Sequence, residues 1–384
     1  MLILLALTKK TVVQTPIKGV NAWFQNLNGI NELDAAKTAH RMVKEGFLSA
    51  GYNYFILPDG FLKETRNATG YLVADKDKFP KGIASFVDFL HDNDLKFGIL
   101  IGAGIKSCSG RPGMLGNEEK DIKTFVSWGV DFISYQLCGS VEADFKENSN
   151  RVANLLNKSL RKIVLEINDY GQTKSWTWAP QIAHQWRTTK DITYVKNQCN
   201  FLDILANYEQ NVILDSFSGV SAFNFPDALC TDMPGISDAE SKTQMALWTI
   251  MNSPLIIAAN LDKMLHSNVM NLINENIVRI HSDTLTIAGK IIAQINGIDV
   301  IARPLDDGSV ALVIFNKNEQ PQNIQVSLKQ ISDNIQIVDS AKWTSASSYL
   351  VTDVWTWEEQ STGSKISVMD LNGHSSVMVI VKPE

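Results

Sequence analysis

The sequence predicts an α/β fold, a (β/α)₈ TIM barrel followed by a C-terminal antiparallel β-sandwich. From about Lys18 to Leu285, eight short apolar segments alternate with amphipathic helical segments, which is the pattern of strand–helix units around a parallel barrel. After about residue 288, short β-branched segments follow one another with turn residues between them, as in an antiparallel sandwich. We therefore place the domains at residues 1–287 and 288–384.

The barrel strands are short and apolar, as expected for strands that are covered on both faces. They are predicted at Gly19–Phe24, Tyr52–Leu57, Lys96–Ile101, Val130–Tyr135, Lys162–Ile167, Ala183–Arg187, Val212–Leu214 and Leu255–Ala258. Helices are predicted at Glu32–Ala50, Gly82–Asn93, Asn117–Trp128, Asp144–Asn157, Asp191–Ala206 and Asp238–Met251. Asp, Asn or Gly stands at several of these starts, which is consistent with N-terminal capping.

The C-terminal region is predicted to contain strands and no helix. Its predicted strands are Ile291–Ile295, Val300–Pro304, Val310–Asn316, Ile324–Leu328, Ile335–Val338, Tyr349–Trp357, Lys365–Asp370 and Ser376–Val381. We find no low-complexity linker before this region, so the two domains are expected to pack tightly.

Composition excludes some classes of partner. The formal charge is −6 over 384 residues, which argues against nucleic acid, because binding to a phosphate backbone needs a basic face. No apolar run approaches the length of about 20 residues that a membrane span needs. The four cysteines fit no zinc-site spacing, so we expect no metal and no cofactor.

The N-terminus leaves the cellular compartment open. Residues 1–7 are apolar, but Lys9 and Lys10 follow them, whereas a secretory signal carries its positive charge first. A buried N-terminal strand is the preferred interpretation, with an atypical signal as the alternative. The oligomeric state is also open.

Several acids follow the predicted strands, at the end of the barrel where TIM-barrel enzymes carry their chemistry. They are Asp59, Asp169, Asp191 and Asp227. Any one of them is equally compatible with helix capping. Four acids together with aromatic residues favour carbohydrate chemistry, in which pairs of carboxyl groups do the work.

Motifs spread over nearly the whole chain resemble glycoside hydrolase family 27, the α-galactosidases. Thr15–Trp23 is similar to the family's opening Thr-Pro-Pro-Met-Gly-Trp-Asn-Ser-Trp. Further similar segments are Gly51–Phe61, Cys108–Asp121, Phe125–Asp131, Trp186–Asp191, Leu247–Asn260 and Arg303–Leu312. The resemblance implies the two-domain fold and an α-galactoside-like carbohydrate ligand.

The resemblance also assigns roles by position. It implies Asp191 as the general acid/base, Arg187 as a sugar-holding cation and Trp23 as an aromatic wall of the sugar pocket. It implies Asp59 and Asp227 as acids that bind galactose hydroxyls, and Asp169 as an acid that contacts the hydroxyl next to the anomeric carbon. Cys108 and Cys138 are implied as a disulfide.

One face of the predicted barrel departs from the family. Gln136 stands at the position of the catalytic nucleophile, and Ser134 replaces a lysine that binds sugar hydroxyls. An amide cannot attack an anomeric carbon, so the family's retaining reaction is not expected. Further departures at predicted strand ends are Pro58, Leu100, Gly102 and Phe225.

Three interpretations follow from these departures. The first is a carbohydrate-binding protein without hydrolysis, and the second is a glycosidase with altered, inverting chemistry. The second needs a base opposite Asp191, for which Asp59, Asp169 and Glu166 are candidates, although Glu166 is also expected to pair with Lys96 or Lys162. The third is an ordinary α-galactosidase with a different alignment around Gln136. Cys138 fixes that register, and no acid lies between Asp131 and Glu142.

Overall fold

The computed structural model describes residues 12–22, 29–139, 142–192 and 198–384. The chain divides into two compact units. The first consists of Met1–Val13, Ile17–Lys190 and Ile256–Met264, and the second of Gln14–Pro16, Asp191–Leu255 and Leu265–Glu384. The predicted domain boundary between residues 287 and 288 stays a prediction.

Eight short strands form one curled sheet. They are β1 (Lys18–Asn21), β2 (Tyr52–Leu57), β3 (Lys96–Gly102), β4 (Phe132–Gln136), β5 (Val164–Asn168), β6 (Gln185–Arg187), β7 (Phe223–Phe225) and β8 (Leu255–Ile257). Their order is β7-β6-β5-β4-β3-β2-β1-β8, and the pairs from β1–β2 to β5–β6 are parallel. The predicted TIM-barrel fold is confirmed.

Helices follow most of these strands. They are α1 (Glu32–Lys44), α2 (Ile83–Asp92), α3 (Glu118–Ser127), α4 (Glu142–Lys158), α5 (Phe201–Val212), α6 (Asp238–Ile250), α7 (His266–Leu272) and α8 (Glu275–His281). Local sequence explains their starts. Asn31 caps α1 by accepting from the Asp34 N–H, and Ser237 with Glu240 forms a capping box on α6. These side chains satisfy backbone N–H donors at the N-termini of the two helices.

Strand β4 shows which side chains face the barrel interior. Tyr135 is buried and stacks on Phe145 of α4, with ring centroids 5.6 Å apart. Burial raises the pKa of the Tyr135 phenol well above its ordinary value, so the phenol stays neutral. Because side chains alternate along a strand, Ser134 and Gln136 lie on the opposite, interior face.

The C-terminal region is an antiparallel sandwich, as predicted. Its strands are β9 (Lys290–Ile295), β10 (Ile298–Pro304), β11 (Val310–Asn316), β12 (Gln322–Ser327), β13 (Tyr349–Asp353), β14 (Glu359–Thr362), β15 (Lys365–Leu371) and β16 (Ser376–Pro383). One sheet has the order β14-β13-β16-β11-β10-β9, and the other pairs β12 with β15. Val300, Leu312 and Val381 are among the residues of its buried core.

One predicted barrel strand and one predicted helix start are wrong. Val212 ends helix α5 and Leu214 follows it, and the seventh strand lies at Phe223–Phe225. Val212 and Leu214 are buried at this helix end, whereas Ile213 between them is 70% exposed, so the alternating burial that resembles a strand comes from a helix end. Helix α5 also begins at Phe201 rather than at Asp191, because Asn200 caps it by accepting from the Leu202 N–H.

The prediction of a helix-free sandwich is also wrong. Two short helices, α9 (Leu328–Asn334) and α10 (Ser340–Ser345), flank Ile335–Val338, where a strand was predicted. Asp339 caps α10 by accepting from the Lys342 N–H. Trp343 of α10 is 1% exposed and belongs to the sandwich core, so packing of this side chain accounts for a helix in a β-rich sequence.

Trp343 offers a test of this packing. Its indole Nε1–H has no hydrogen-bond partner among the described residues. Trp343→Ala should lower the free energy of unfolding by about 3–5 kcal/mol, because it leaves a large cavity. Trp343→Phe should cost less than about 1.5 kcal/mol, because it keeps an aromatic ring and removes an unsatisfied donor. Urea unfolding measures both, and equal losses would contradict the placement.

Candidate functional site

The carboxyl ends of β3, β4 and β5 lie level with one another, and we call this end of the barrel its mouth. Gln136 is the last residue of β4, and it is in register with Gly102 of β3 and Asn168 of β5. The Ala103 N–H donates to the Gln136 carbonyl at 2.8 Å, and the Leu137 N–H donates to the Asn168 carbonyl at 2.8 Å. These backbone hydrogen bonds fix Gln136 at the mouth, and its correspondence to the family's nucleophile position stays a prediction.

One row of side chains deeper, the Glu166 carboxylate accepts hydrogen bonds from two neutral side chains. Ser134, Glu166 and Gln185 are in register on β4, β5 and β6, and each is at most 4% exposed. The Ser134 hydroxyl donates to Glu166 Oε1 at 2.5 Å, and Gln185 Nε2 donates to Glu166 Oε2. Two neutral donors thus satisfy both carboxylate oxygens. The Lys96 ammonium, one expected partner, lies 5.0 Å from the Tyr54 ring centroid.

Asp169 organises the loop that follows β5. It is fully buried. Its Oδ1 accepts from the Gly171 N–H at 3.0 Å and the Ser175 hydroxyl at 2.9 Å, and its Oδ2 accepts from the Thr173 N–H at 2.9 Å and the Thr173 hydroxyl at 2.5 Å. With four donors on its two oxygens, this carboxylate serves the loop, and its expected contact with a sugar stays a prediction.

Arg187 ends β6 with its guanidinium held in place. The side chain is 3% exposed, and its NH2 group donates to the carbonyls of Thr189 at 3.3 Å and Lys190 at 3.0 Å. The guanidinium carbon lies 5.9 Å from the Tyr170 ring centroid, within the range of a cation–π contact. Arg187 therefore places a fixed positive charge against the ring of Tyr170.

The predicted disulfide between Cys108 and Cys138 is present and joins the loop after β3 to the loop after β4. The Tyr170 hydroxyl lies 3.4 Å from each sulfur, and Cys108 Sγ lies 3.6 Å from Gln136 Oε1. The two loops also touch through backbone. A Cβ on Gly104 would meet the carbonyl of Gly139, so glycine is needed for this approach.

Asp59 keeps one carboxylate oxygen available. It begins a single turn of 3₁₀ helix, Asp59–Phe61, after β2, and it is 7% exposed. The Ser109 hydroxyl donates to Asp59 Oδ1 at 2.7 Å. The second oxygen, Oδ2, is buried and accepts no hydrogen bond from the residues that the structure describes. A buried acceptor of this kind favours a ligand that donates a hydrogen bond.

Two candidate residues belong to the second unit. Asp191 is exposed. Asp227 is 6% exposed and has a φ of 88°, an uncommon conformation for a residue other than glycine. Its Oδ2 accepts from the Ile192 N–H at 2.7 Å, and its carbonyl accepts from Trp248 Nε1 at 2.6 Å. Asp227 thus fixes the backbone next to Asp191, and Trp23 lies outside the described residues.

Sequence reasoning missed several contacts of the site. It did not identify Ser109, Tyr170 or Gln185 as partners of the candidate residues. It considered at most one disulfide, whereas Cys199 also pairs with Cys230. The two pairs are separated by 30 and 31 residues, and an even number of cysteines was the available signal.

Comparisons with known proteins cover both regions of the chain. Residues 20–283 match the family model described as alpha galactosidase A, and residues 296–381 match that of the alpha galactosidase C-terminal beta sandwich domain. Alpha-galactosidase 2 of Arabidopsis thaliana is 32% identical over 329 residues, which is 85% of this chain and 82% of the relative.

Solved structures agree with these matches. A putative alpha-galactosidase/melibiase from Bacteroides fragilis is 28% identical with a TM-score of 0.86, over 96% of this chain and 79% of the other. An alpha-galactosidase from Saccharomyces cerevisiae, solved with raffinose, is similar in fold with a TM-score of 0.84 at 21% identity, over 96% of this chain and 98% of the other.

No group of three or more His, Cys, Asp or Glu side chains in the described ranges is arranged to hold a metal ion. None of the helices in these ranges combines the length and the apolar character that crossing a bilayer requires.

The two buried carboxylates should respond differently to conversion into amides. In Asp169→Asn, one backbone N–H loses its acceptor whichever way the amide is turned, so the free energy of unfolding should fall by about 2 kcal/mol or more. In Glu166→Gln the loss should be smaller, under about 1 kcal/mol, because the Ser134 hydroxyl and the Gln185 amide can both reverse their roles. Urea denaturation compares the two variants, and a greater loss in Glu166→Gln would contradict these assignments.

Proposed function

The chain belongs to glycoside hydrolase family 27, and from that premise we propose that it binds an α-galactoside-like sugar at the barrel mouth without the family's retaining hydrolysis. The single observation that carries the proposal is the amide of Gln136 at the end of β4, in register with Gly102 and Asn168. A retaining glycosidase needs two carboxyl groups about 5–5.5 Å apart, one of which attacks the anomeric carbon. An amide supplies neither the charge nor the nucleophile.

The neighbouring carboxylates do not replace the missing one. Glu166 is 4% exposed and accepts from Ser134 and Gln185. Asp169 is fully buried, and both of its oxygens hold the loop after β5. Both groups are buried, and moving either one toward a sugar at the mouth would leave its buried donors without acceptors.

Features that serve binding are retained beside Gln136. Asp59 Oδ2 is a buried acceptor without a partner among the described residues, and a sugar hydroxyl can donate to it. Arg187 supplies a fixed cation, and the Cys108–Cys138 bridge holds the two adjacent loops. Raffinose, seen in the yeast neighbour, carries an α-galactosyl group and is therefore a suitable first ligand. Polar groups fixed in a concave site are typical of carbohydrate binding.

An inverting glycosidase is the second candidate. Asp191 keeps the acid/base position by resemblance and is exposed, and Asp59 has one oxygen without a partner in the described part of the chain. Inversion needs a base that activates water rather than a nucleophile on the protein. Proton NMR of the first product anomer distinguishes this candidate, because inversion releases the anomer opposite to that of the substrate.

Binding should depend on Asp59. Asp59→Asn replaces one acceptor oxygen by a donor, so the affinity for methyl α-D-galactoside should fall by about tenfold or more, equivalent to about 1.4 kcal/mol. Asp88→Asn is the matched control, because Asp88 is an exposed acid on α2 in the same unit. Isothermal titration calorimetry measures both. An absence of binding by the unsubstituted protein to galactosides, glucosides and arabinosides would refute the proposal.

Restoring the family residues should restore chemistry. Gln136→Asp supplies a nucleophile, and Ser134→Lys places an ammonium beside the Glu166 carboxylate, where the Ser134 hydroxyl now donates. The double variant should release nitrophenol from 4-nitrophenyl α-D-galactoside at a measurable rate. The unsubstituted chain should show no retaining turnover, and normal turnover by it would mean that Gln136 does not occupy the nucleophile position.

A further inference from the structure

We propose that Ser109 is a positioning residue for Asp59, and that the exposed Cys108–Cys138 bridge holds Ser109 in place, so that reduction of this bridge weakens sugar binding. The inference rests on the proposed function, because it concerns control of the same ligand-binding carboxylate. It adds a residue and a redox dependence that the family resemblance does not supply.

Backbone hydrogen bonds hold the base of the loop after β3, which is formed by residues 102–105 and 113–114. The Met114 N–H donates to the Gly102 carbonyl at 2.9 Å, and the Gly113 N–H donates to the Ile105 carbonyl at 2.8 Å. The Gly104 N–H donates to the Cys138 carbonyl at 2.9 Å. These bonds do not involve the sulfurs, so the base is expected to persist when the bridge is opened.

The tip of the loop is residues 107–111, and side chains connect it to its surroundings. Within the tip, the Ser107 N–H donates to the Arg111 carbonyl. Outward connections run from Cys108 to Cys138, from Ser109 to Asp59, and from Arg111 to the exposed Glu64 at 3.5 Å. Cys108 Sγ also lies 3.4 Å from the Tyr170 hydroxyl and 3.6 Å from Gln136 Oε1. Because an exposed ion pair contributes little, the contacts of Cys108 and the Ser109 hydroxyl hold the tip in position.

The contact of Ser109 matters because of where Asp59 lies. Asp59 is 7% exposed, and a buried carboxylate is stable only when hydrogen bonds compensate for its lost hydration. The Ser109 hydroxyl, 2.7 Å from Oδ1, fixes one oxygen and leaves Oδ2 for a ligand. If the tip moves, Asp59 loses this donor and the direction of Oδ2 is no longer fixed.

The bridge is also placed where a reductant can reach it. Cys108 is exposed and Cys138 is half-buried. The second bridge provides an internal comparison, since Cys199 is 4% exposed and Cys230 is fully buried. Thiol–disulfide exchange requires access of a thiolate to a sulfur, so a dithiol should open Cys108–Cys138 well before Cys199–Cys230.

The reduction is a two-electron exchange with a dithiol. A thiolate of the dithiol attacks one cysteine sulfur and forms a mixed disulfide, while the other cysteine leaves as a thiolate and takes up a proton. The second thiol of the dithiol then attacks the mixed disulfide. The products are two cysteine thiols on the protein and the oxidised, cyclic disulfide of the reductant.

The experiment uses the full chain and graded dithiothreitol. Alkylation with iodoacetamide and mass spectrometry identify which bridge has opened. At the reductant concentration that opens only Cys108–Cys138, the affinity for methyl α-D-galactoside should fall by about tenfold. Ser109→Ala should lower the affinity of the oxidised protein by a similar factor, and Ser109→Thr, which keeps the hydroxyl, should bind as the unsubstituted protein does.

Non-additivity separates positioning from a general structural effect. If the bridge acts through Ser109, then reduction of Ser109→Ala should produce little further loss of affinity. Ser127→Ala is the matched control, since this serine donates a hydrogen bond to Thr124 on α3 in the same unit, and it should keep both the affinity and its response to reduction. Unchanged affinity after reduction, or a full additional loss in Ser109→Ala, would overturn the proposal.

Hydrogen exchange distinguishes failure of this inference from failure of the proposed function. The Leu62 N–H donates to the Asp59 carbonyl at 2.9 Å. Reduction should lower amide protection in peptides that cover residues 57–62 and 107–111, whether or not a sugar binds. If reduction lowers this protection but the protein binds no sugar, only the proposed function is refuted. Unchanged protection after reduction refutes the coupling, whatever the affinity.

Discussion

The covalent bond between Cys108 and Cys138 fixes the geometry on which the candidate site depends. It joins the loops after β3 and β4 beside Gln136, and the Tyr170 hydroxyl lies against both sulfurs. Through Ser109, the same loop reaches Asp59 on the far side of β3. One bridge therefore lies between an amide and an aromatic ring and, through Ser109, is connected to a carboxylate that follows another strand.

From the resemblance, the side chains around this bridge are expected to differ from those of the family more than the backbone that carries them. Where the family has a lysine two residues before its nucleophile, Ser134 donates to Glu166, and Gln185 completes the network. Both carboxylate oxygens of this buried acid thus accept from neutral side chains. The acid lies one row below the mouth, where it orders the barrel interior. A polar, ordered interior beneath an amide is compatible with a pocket that holds a ligand and does not cleave it.

The fold was predictable from sequence to a large extent, because apolar strands in regular alternation with amphipathic helices allow few other architectures. Strand β7 and the helices α9 and α10 were not predicted. Short apolar segments such as residues 212–214 have the same local pattern in a strand and at the end of a helix. The place of Gln136 near the end of a strand followed from the predicted fourth strand, and the Cys108–Cys138 pair followed from the family resemblance. The contact of Ser109 with Asp59 joins residues 50 positions apart, and no local pattern encodes such a contact.

The central claim is that a sugar lies beside Gln136 and is not cleaved. A crystal structure of the unsubstituted protein with 4-nitrophenyl α-D-galactoside tests it most directly. The account predicts an intact glycoside at the barrel mouth, with a sugar hydroxyl donating to Asp59 Oδ2 and the bridge between Cys108 and Cys138 closed. A cleaved sugar in the pocket, or a ligand bound away from Asp59, would contradict it.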